Sequence, residues 1–325
     1  MGLRIIQRFS RVGSVIIDLL KSRQMYFALS RTPHGIIDLA APCFAALAVN
    51  GTFPPLAIVV LGLITVFSGY TAVYAVNDIV DYRVDRERRS VVERNAPLQH
   101  SHDLDAVWMR HPLAEGVLNL RQAVAWACFW GGIAMVGAWL LHPVCLMLFV
   151  AGVLLETLYC KLLKVTAYRT LVSGVVKTIG SLAAVFAVEN HPPIGYVICL
   201  FLFLFFWEIG AQNIPNDWSD IEEDRRIGAK TFPVVFGTER SAVVVFLSCG
   251  VALVFQTLTL ANSRASFPVV VKILCALAGL WFVLMPAARL LLRRRPSDAM
   301  ALFNSGSWYP LILLLIVVGS LLAGQ

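Results

Sequence analysis

The sequence predicts an all-α, polytopic membrane protein, on three observations. Of the 325 residues 58% are hydrophobic and 14% charged, and the mean hydropathy is +0.74, too apolar for a soluble domain. Stretches of roughly 17–25 predominantly apolar residues, the length that crosses a bilayer as a helix, recur nine times. With the N-terminus placed in the cytoplasm, 24 of the 27 Lys and Arg residues fall in cytoplasmic segments, all except Lys177, Arg264 and Lys272. That is the asymmetry of the positive-inside rule. The pI of 9.2 therefore reports membrane orientation and requires no nucleic-acid partner.

Taken in order, residues 1–32 form an N-terminal interfacial segment and 33–325 a nine-helix domain. Over 3–23, Ile5, Phe9, Val12, Ile16 and Leu19 share one helical face and Arg4, Arg8, Arg11 and Asp18 another, the pattern of an in-plane amphipathic helix. The predicted spans are 33–50, 54–76, 121–141, 143–160, 168–189, 193–214, 241–261, 268–288 and 307–324. The long connections, 77–120 and 213–240, are both cytoplasmic and carry 14 of the 20 acidic residues. The opposite loops, around Gly51, His142 and Asn190, are too short to build a site. The seven cysteines lie in or beside spans with no Cys-x-x-Cys pair, so they read as apolar packing residues. The six histidines, His100 and His102 in a polar loop among them, do not cluster as a zinc site.

The chemistry is concentrated in one repeated pattern, Asn-Asp-x-x-Asp-x-x-x-Asp. Its first copy is Asn77, Asp78, Asp81 and Asp85; its second, 139 positions later, is Asn216, Asp217, Asp220 and Asp224. On a helix each set of three carboxylates falls on one stripe. Like charges so placed repel by a few tenths of a kcal/mol per pair, and hard divalent cations with oxygen ligands relieve that. A lone acidic stripe at a span end reads as a solvated juxtamembrane loop; recurrence in register argues instead for two facing stripes that cage Mg2+ for a diphosphate. Four spans separate the copies, so both lie on the same side and run parallel.

At these residues the chain resembles the UbiA superfamily of intramembrane prenyltransferases. Asn77 to Asp85 is similar to that family's first aspartate-rich motif, and Asn216 to Asp224, followed by Gly228-Ala-Lys230-Thr231, to its second. Arg31-Thr-Pro33-His-Gly35, Tyr159-Cys-Lys161-Leu-Leu-Lys164 and His111-Pro112-Leu113-Ala-Glu-Gly116 ahead of Arg121-Gln122 are weaker echoes. The resemblance implies nine helices around a central cavity, Mg2+, and an allylic diphosphate donor. Two departures stand out. Asp85 and Pro112 are 27 residues apart, an insertion of about 17 over the family's usual spacing, and His111 stands where the family usually has arginine. Both changes lie in the cap over the site, near 86–111.

The expected reaction is Mg2+-dependent ionisation of a polyprenyl diphosphate, then alkylation of a lipophilic or aromatic acceptor within the lipid bilayer. Asp78, Asp81, Asp85, Asp217, Asp220 and Asp224 are the expected metal ligands, with Asn77 and Asn216 as neutral ligands or orienting groups. Lys161, Lys164, Arg225, Arg226 and Lys230 are candidate phosphate contacts, against their ordinary reading as positive-inside charge. Tyr74, one turn before Asp78, is the expected carbocation-facing aromatic ring, with Tyr70, Tyr159 and Trp207 at comparable depth. Among the charges inside spans (Asp38, Glu156, Lys177 and Glu208), Glu208 is spaced to share a face with Gln212 and Asn216 and is the expected acceptor-side base. Lys177 is read either as a contact for an acceptor carboxylate or as paired with Glu156 or Glu208. Terpene cyclisation without a second acceptor is the alternative. A transporter or channel is disfavoured because the acids gather at one face with no chain of charges across the midplane.

Overall fold

The computed structural model of the chain describes residues 24–93 and 109–324. Among these residues there are no strands and nine helices long and apolar enough to cross a membrane. They are α1 (Thr32–Asn50), α2 (Leu56–Glu93), α3 (Leu120–Leu141), α4 (Pro143–Lys161), α5 (Arg169–Val188), α6 (Ile194–Ser219), α8 (Phe232–Ala261), α9 (Val269–Arg293) and α10 (Pro296–Ala323), with a short helix α7 (Ile221–Ile227) between α6 and α8. The in-plane helix expected over 3–23, with His100, His102 and most of the insertion near 86–111, lies outside the described residues.

The element ends follow local chemistry. At α3 the side chain of Asn119 accepts from the backbone of Gln122 while the Gln122 side chain accepts from Asn119 N–H, a reciprocal cap. His142 caps α4, whose first residue is Pro143. Two helices start earlier than hydropathy alone predicts. α10 begins at Pro296, where 307 was expected, because Pro296 stands in its first turn and Ala299, Leu302 and Phe303 are buried and extend its apolar face. α8 begins at Phe232, where 241 was expected, and bends at Gly237, whose φ of 78° lets the helix continue across a kink.

α6 is central. Tyr196, Leu200, Phe203, Leu204 and Trp207 are buried in the main core with side chains from α1, α8, α9 and α10. Phe203 and Leu204 therefore pack inward. A smaller cluster joins α2, α3 and Leu113 and Leu118. The outer faces remain apolar: Leu56, Phe129, Met147, Leu154 and Trp281 are all exposed, more greasy surface than a soluble monomer tolerates. The chain is an integral, multi-pass membrane protein.

Two features of this bundle position the site. Residues Glu208–Asn213 of α6 form a π-helical turn, whose wider winding rotates all that follows relative to a regular helix. Within it Gly210 packs tightly on α8: a Cβ there would stand 2.9 Å from the backbone nitrogen and Sγ of Cys249 and from Cβ of Ser248. Gly210→Ala is expected to cost about 1–3 kcal/mol by overpacking, visible as earlier thermal unfolding in detergent. The other feature is an apolar cavity of about 320 Å³ among α1, α2, α3, α4 and α5, walled by Pro42, Phe53, Ile58, Tyr70, Phe149 and Gly180 among others.

Candidate active site

α2 is 38 residues long, about 57 Å at 1.5 Å per residue, against a hydrocarbon core of about 30 Å. It therefore carries the first motif past the apolar layer without a break. Asp78, Asp81 and Asp85 keep the expected single stripe; Asp78 and Asp85 are 3% and 6% exposed. The second motif departs from expectation. Asp217 is in the last turn of α6, Asp220 is the junction residue (φ −105°, ψ 10°), and Asp224 is in α7, which ends at Gly228 in the left-handed region. The three carboxylates reach one place across a break in the helix, not along one stripe.

All six aspartates line a single polar cleft of about 100 Å³, with Asn77, Asn216, Tyr159 and four arginines: Arg31, Arg88, Arg110 and Arg169. Two consecutive residues show how near the motifs are. Arg110 pairs with Asp220, and His111 Nδ1 stands 2.9 Å from Asp78 and 3.0 Å from Asp85. Arg88, on α2 itself, donates to Asp224 at 2.6 Å. Arg169 donates to Asp217 at 2.9 Å with its guanidinium 4.4 Å from the Tyr159 ring centroid. Each aspartate of the second motif thus has its own arginine, and the first motif has a histidine.

Burial opposes charge on the His111 imidazole, yet the Asp85 and Asp78 carboxylates outweigh it and raise its pKa to about 8. At Asp224 burial pushes the carboxyl pKa up, against the pull of Arg88. Compensation is nonetheless incomplete, because Asp78 Oδ2, Asp85 Oδ2 and Asp217 Oδ2 are buried without a hydrogen-bond partner. Unsatisfied buried carboxylate oxygens are costly. Their presence on both motifs fits a divalent cation with oxygen ligands.

The other sequence candidates fall in three groups. Asn77 is held at the base of the cleft: its Nδ2 donates to Glu156 at 2.6 Å and its Oδ1 accepts from Arg31 at 3.3 Å. Lys161, Lys164, Arg225 and Lys230 stand outside the cleft lining. Lys164 bonds Glu87 at 2.7 Å and Arg225 bonds Glu222 at 3.3 Å, while Lys161 and Lys230 are exposed. The basic side chains lining the cleft are instead the four arginines with His111; apart from Arg31, which belongs to the Arg31-Thr-Pro33-His-Gly35 echo, these arginines look in sequence no different from topology-setting charge.

The third group lies within the bilayer. Lys177 pairs with neither Glu156 nor Glu208 but with Asp38, at 2.7 and 2.8 Å to its two oxygens, and Tyr74 OH donates to the same carboxylate at 2.5 Å. Tyr74 stacks at 27° on Tyr70, which walls the apolar cavity, while Tyr159 is the ring that lines the cleft. Glu208 accepts from Ser173 at 2.7 Å. It shares no face with Gln212, which bonds Phe303 and Ser307 of α10, because the π turn shifts the register that a four-residue spacing assumes. Asn213 takes the inward position: it donates to Tyr159 OH at 2.8 Å and accepts from Thr170. No signal in the sequence marked it.

Comparison with known proteins agrees with this architecture. Over 194 residues the chain is 27% identical to the digeranylgeranylglyceryl phosphate synthase of Thermococcus sibiricus, covering 60% of this chain and 62% of that relative, less than two thirds of its length. It is 25% identical over 227 residues to the 4-hydroxybenzoate octaprenyltransferase of Shewanella woodyi, covering 69% of this chain and 73% of the relative. In fold it is similar to a UbiA homologue from Archaeoglobus fulgidus solved with DMAPP and Mg2+, with a TM-score of 0.66 at 16% identity over 90% of this chain and 99% of that one. The sequence model of the UbiA prenyltransferase family matches residues 39–316, and the chain belongs to that family.

Proposed function

We propose that the protein transfers a prenyl group from an allylic polyprenyl diphosphate to a lipophilic or aromatic acceptor, with Mg2+ as cofactor and the site on the cytoplasmic side. The observation that carries this reading is the meeting of six aspartates and four arginines in one cleft at the end of an apolar bundle. An enzyme that splits a diphosphate from a greasy tail needs this division of polarity. The asymmetry of Lys and Arg supports the cytoplasmic placement.

Asp78, Asp81, Asp85, Asp217, Asp220 and Asp224 would hold the metal, which when bound neutralises charge developing on the departing diphosphate. Arg31, Arg88, Arg110 and Arg169 bring forked donors suited to phosphate oxygens. Asn77, locked between Glu156 and Arg31, orients the base of the first motif. Deeper in, the Tyr159 ring lines the cleft and Tyr74 and Tyr70 lead away from it. Aromatic faces so placed stabilise an allylic cation by roughly 0.5–2 kcal/mol each and keep water away. Tyr70 also walls the apolar cavity, eight residues and about 12 Å along α2 from Asp78, so a prenyl tail running down from the cleft meets apolar surface at once. The named relatives are a digeranylgeranylglyceryl phosphate synthase and a 4-hydroxybenzoate octaprenyltransferase, so the acceptor is a class, lipophilic or aromatic, and not one compound.

Purified protein in nanodiscs, given geranylgeranyl diphosphate, MgCl2 and either a phenolic acceptor or a glycerol phosphate that already carries a lipid chain, is expected to release pyrophosphate and yield a prenylated acceptor by mass spectrometry. EDTA should abolish both. A cyclic hydrocarbon or alcohol formed without any acceptor would replace this reading with terpene cyclisation.

A further inference from the structure

His111 is an unusual residue in an unusual conformation. Its φ is 55°, in the left-handed region that few residues other than glycine adopt, and the loop that holds it is anchored on both sides. Before it, Arg110 is tied to Asp220 and Glu223. After it, Leu113 is buried against α2 and α3, and Arg89 donates to the Ala114 carbonyl at 3.3 Å. The imidazole is thereby fixed between two carboxylates of the first motif. Asp78 Oδ1 and Asp85 Oδ2 lie 2.9 and 3.0 Å from the same Nδ1, and all three ligand atoms lie within 4.8 Å of one another.

A nitrogen between two carboxylates carries at most one hydrogen, for which the two oxygens must compete or share. Here the hydrogen bond goes to Asp78, and Asp85 Oδ2 is left buried without one, as is Asp78 Oδ2. A cation bonded to Nδ1 and to both carboxylates would satisfy the set. The spacing suits it: neighbouring ligands of an octahedral ion with bonds of about 2.1 Å stand about 3.0 Å apart. An arginine at this position could not play the part, because a guanidinium only donates.

We propose that His111 is a direct metal ligand, forming with Asp78 and Asp85 a mixed nitrogen–oxygen site that favours divalent transition ions such as Mn2+ and Co2+ over Mg2+. The inference rests on the reading that the aspartate motifs bind a divalent metal, and goes beyond it in naming a ligand and a metal class. Imidazole suits borderline ions, whereas Mg2+ prefers oxygen. A site with one nitrogen therefore ranks the two kinds of ion more steeply than an all-oxygen site does.

The test is pulsed EPR on the full-length protein in nanodiscs loaded with Mn2+ alone, without substrate. Wild type is expected to show a directly bound histidine nitrogen, and the signal should change isotope pattern when the protein is grown with 15N-histidine. His111→Arg should abolish the coupling and His191→Ala, far from the cleft, should leave it intact. By competition titration, the ratio of Mn2+ to Mg2+ affinity should fall at least roughly tenfold in His111→Arg. The 15N swap in wild type needs no variant, so it decides the matter even if His111→Arg folds poorly. Mn2+ bound with no histidine coupling would overturn the ligand assignment and leave the aspartate site standing. Failure of wild type to bind either ion would bring down the underlying metal reading as well.

Discussion

Asp78→Asn and Asp220→Asn are each expected to slow turnover by at least about 10²-fold, the size of the loss when one strong electrostatic stabiliser is removed from a preorganised site. The substitution is nearly isosteric, so packing around the buried side chain is kept and the change is one of charge. Asp78 contributes from the first motif, Asp220 from the second, and the consecutive residues Arg110 and His111 link the two. If the cleft acts as one site, both losses should be large although the residues are 142 positions apart. They should also combine to much less than the product of the single effects, because residues that act as a unit are not additive. The measurement is pyrophosphate release at saturating prenyl diphosphate, with circular dichroism and gel-filtration profiles matched to wild type. A rate close to that of wild type in either variant would remove that motif from the chemistry.

The contrast between the two motifs shows what kinds of information the sequence carries. The first copy lies in an unbroken helix, so the 3.6-residue period alone is enough to align Asp78, Asp81 and Asp85. The second lies across a π turn and a helix break, and there spacing misleads. Glu208, Gln212 and Asn216 share a face only on a regular helix; in the fold Glu208 turns to Ser173, Gln212 to α10, and Asn213 moves inward toward Tyr159. Within the π turn Gly210 comes close to Cys249, a contact between helices that no local pattern encodes. The arginines are hidden for another reason. Apart from Arg31 in its echo, Arg88, Arg110 and Arg169 sit among 27 cations whose distribution is accounted for by membrane orientation, so nothing distinguishes these three, which turn inward, from Lys161, Lys164, Arg225 and Lys230, which do not. By contrast, the number of helices requires only hydropathy and length, which act locally and in the same direction along the chain.

Lys177→Met is the second substitution with a large expected effect, this time on stability. Lys177 lies near the middle of α5, where an unpaired charge is most expensive, and its ammonium is bound by both oxygens of Asp38, itself 3% exposed. Removing the lysine leaves a buried carboxylate held, among the described residues, by Tyr74 and by His34, 3.8 Å away. Breaking a buried pair in this way costs about 3–5 kcal/mol, whereas replacing both partners with uncharged groups is often close to neutral. Asp38→Asn combined with Lys177→Met should therefore be more stable than Lys177→Met alone, a sign that simple loss of contacts cannot produce. Thermal unfolding of the single and double variants in the same detergent reads the difference. Equal destabilisation in the two would mean that the pair contributes through packing and not through charge. The pair also orients Tyr74, since the Asp38 carboxylate receives the phenol and the ammonium together. In the double variant the amide oxygen introduced at position 38 would still accept from the phenol, so the orientation of the ring is kept while the negative charge beside it is lost. Stability should then recover further than turnover if that charge enriches the Tyr74 ring for its contact with the allylic cation.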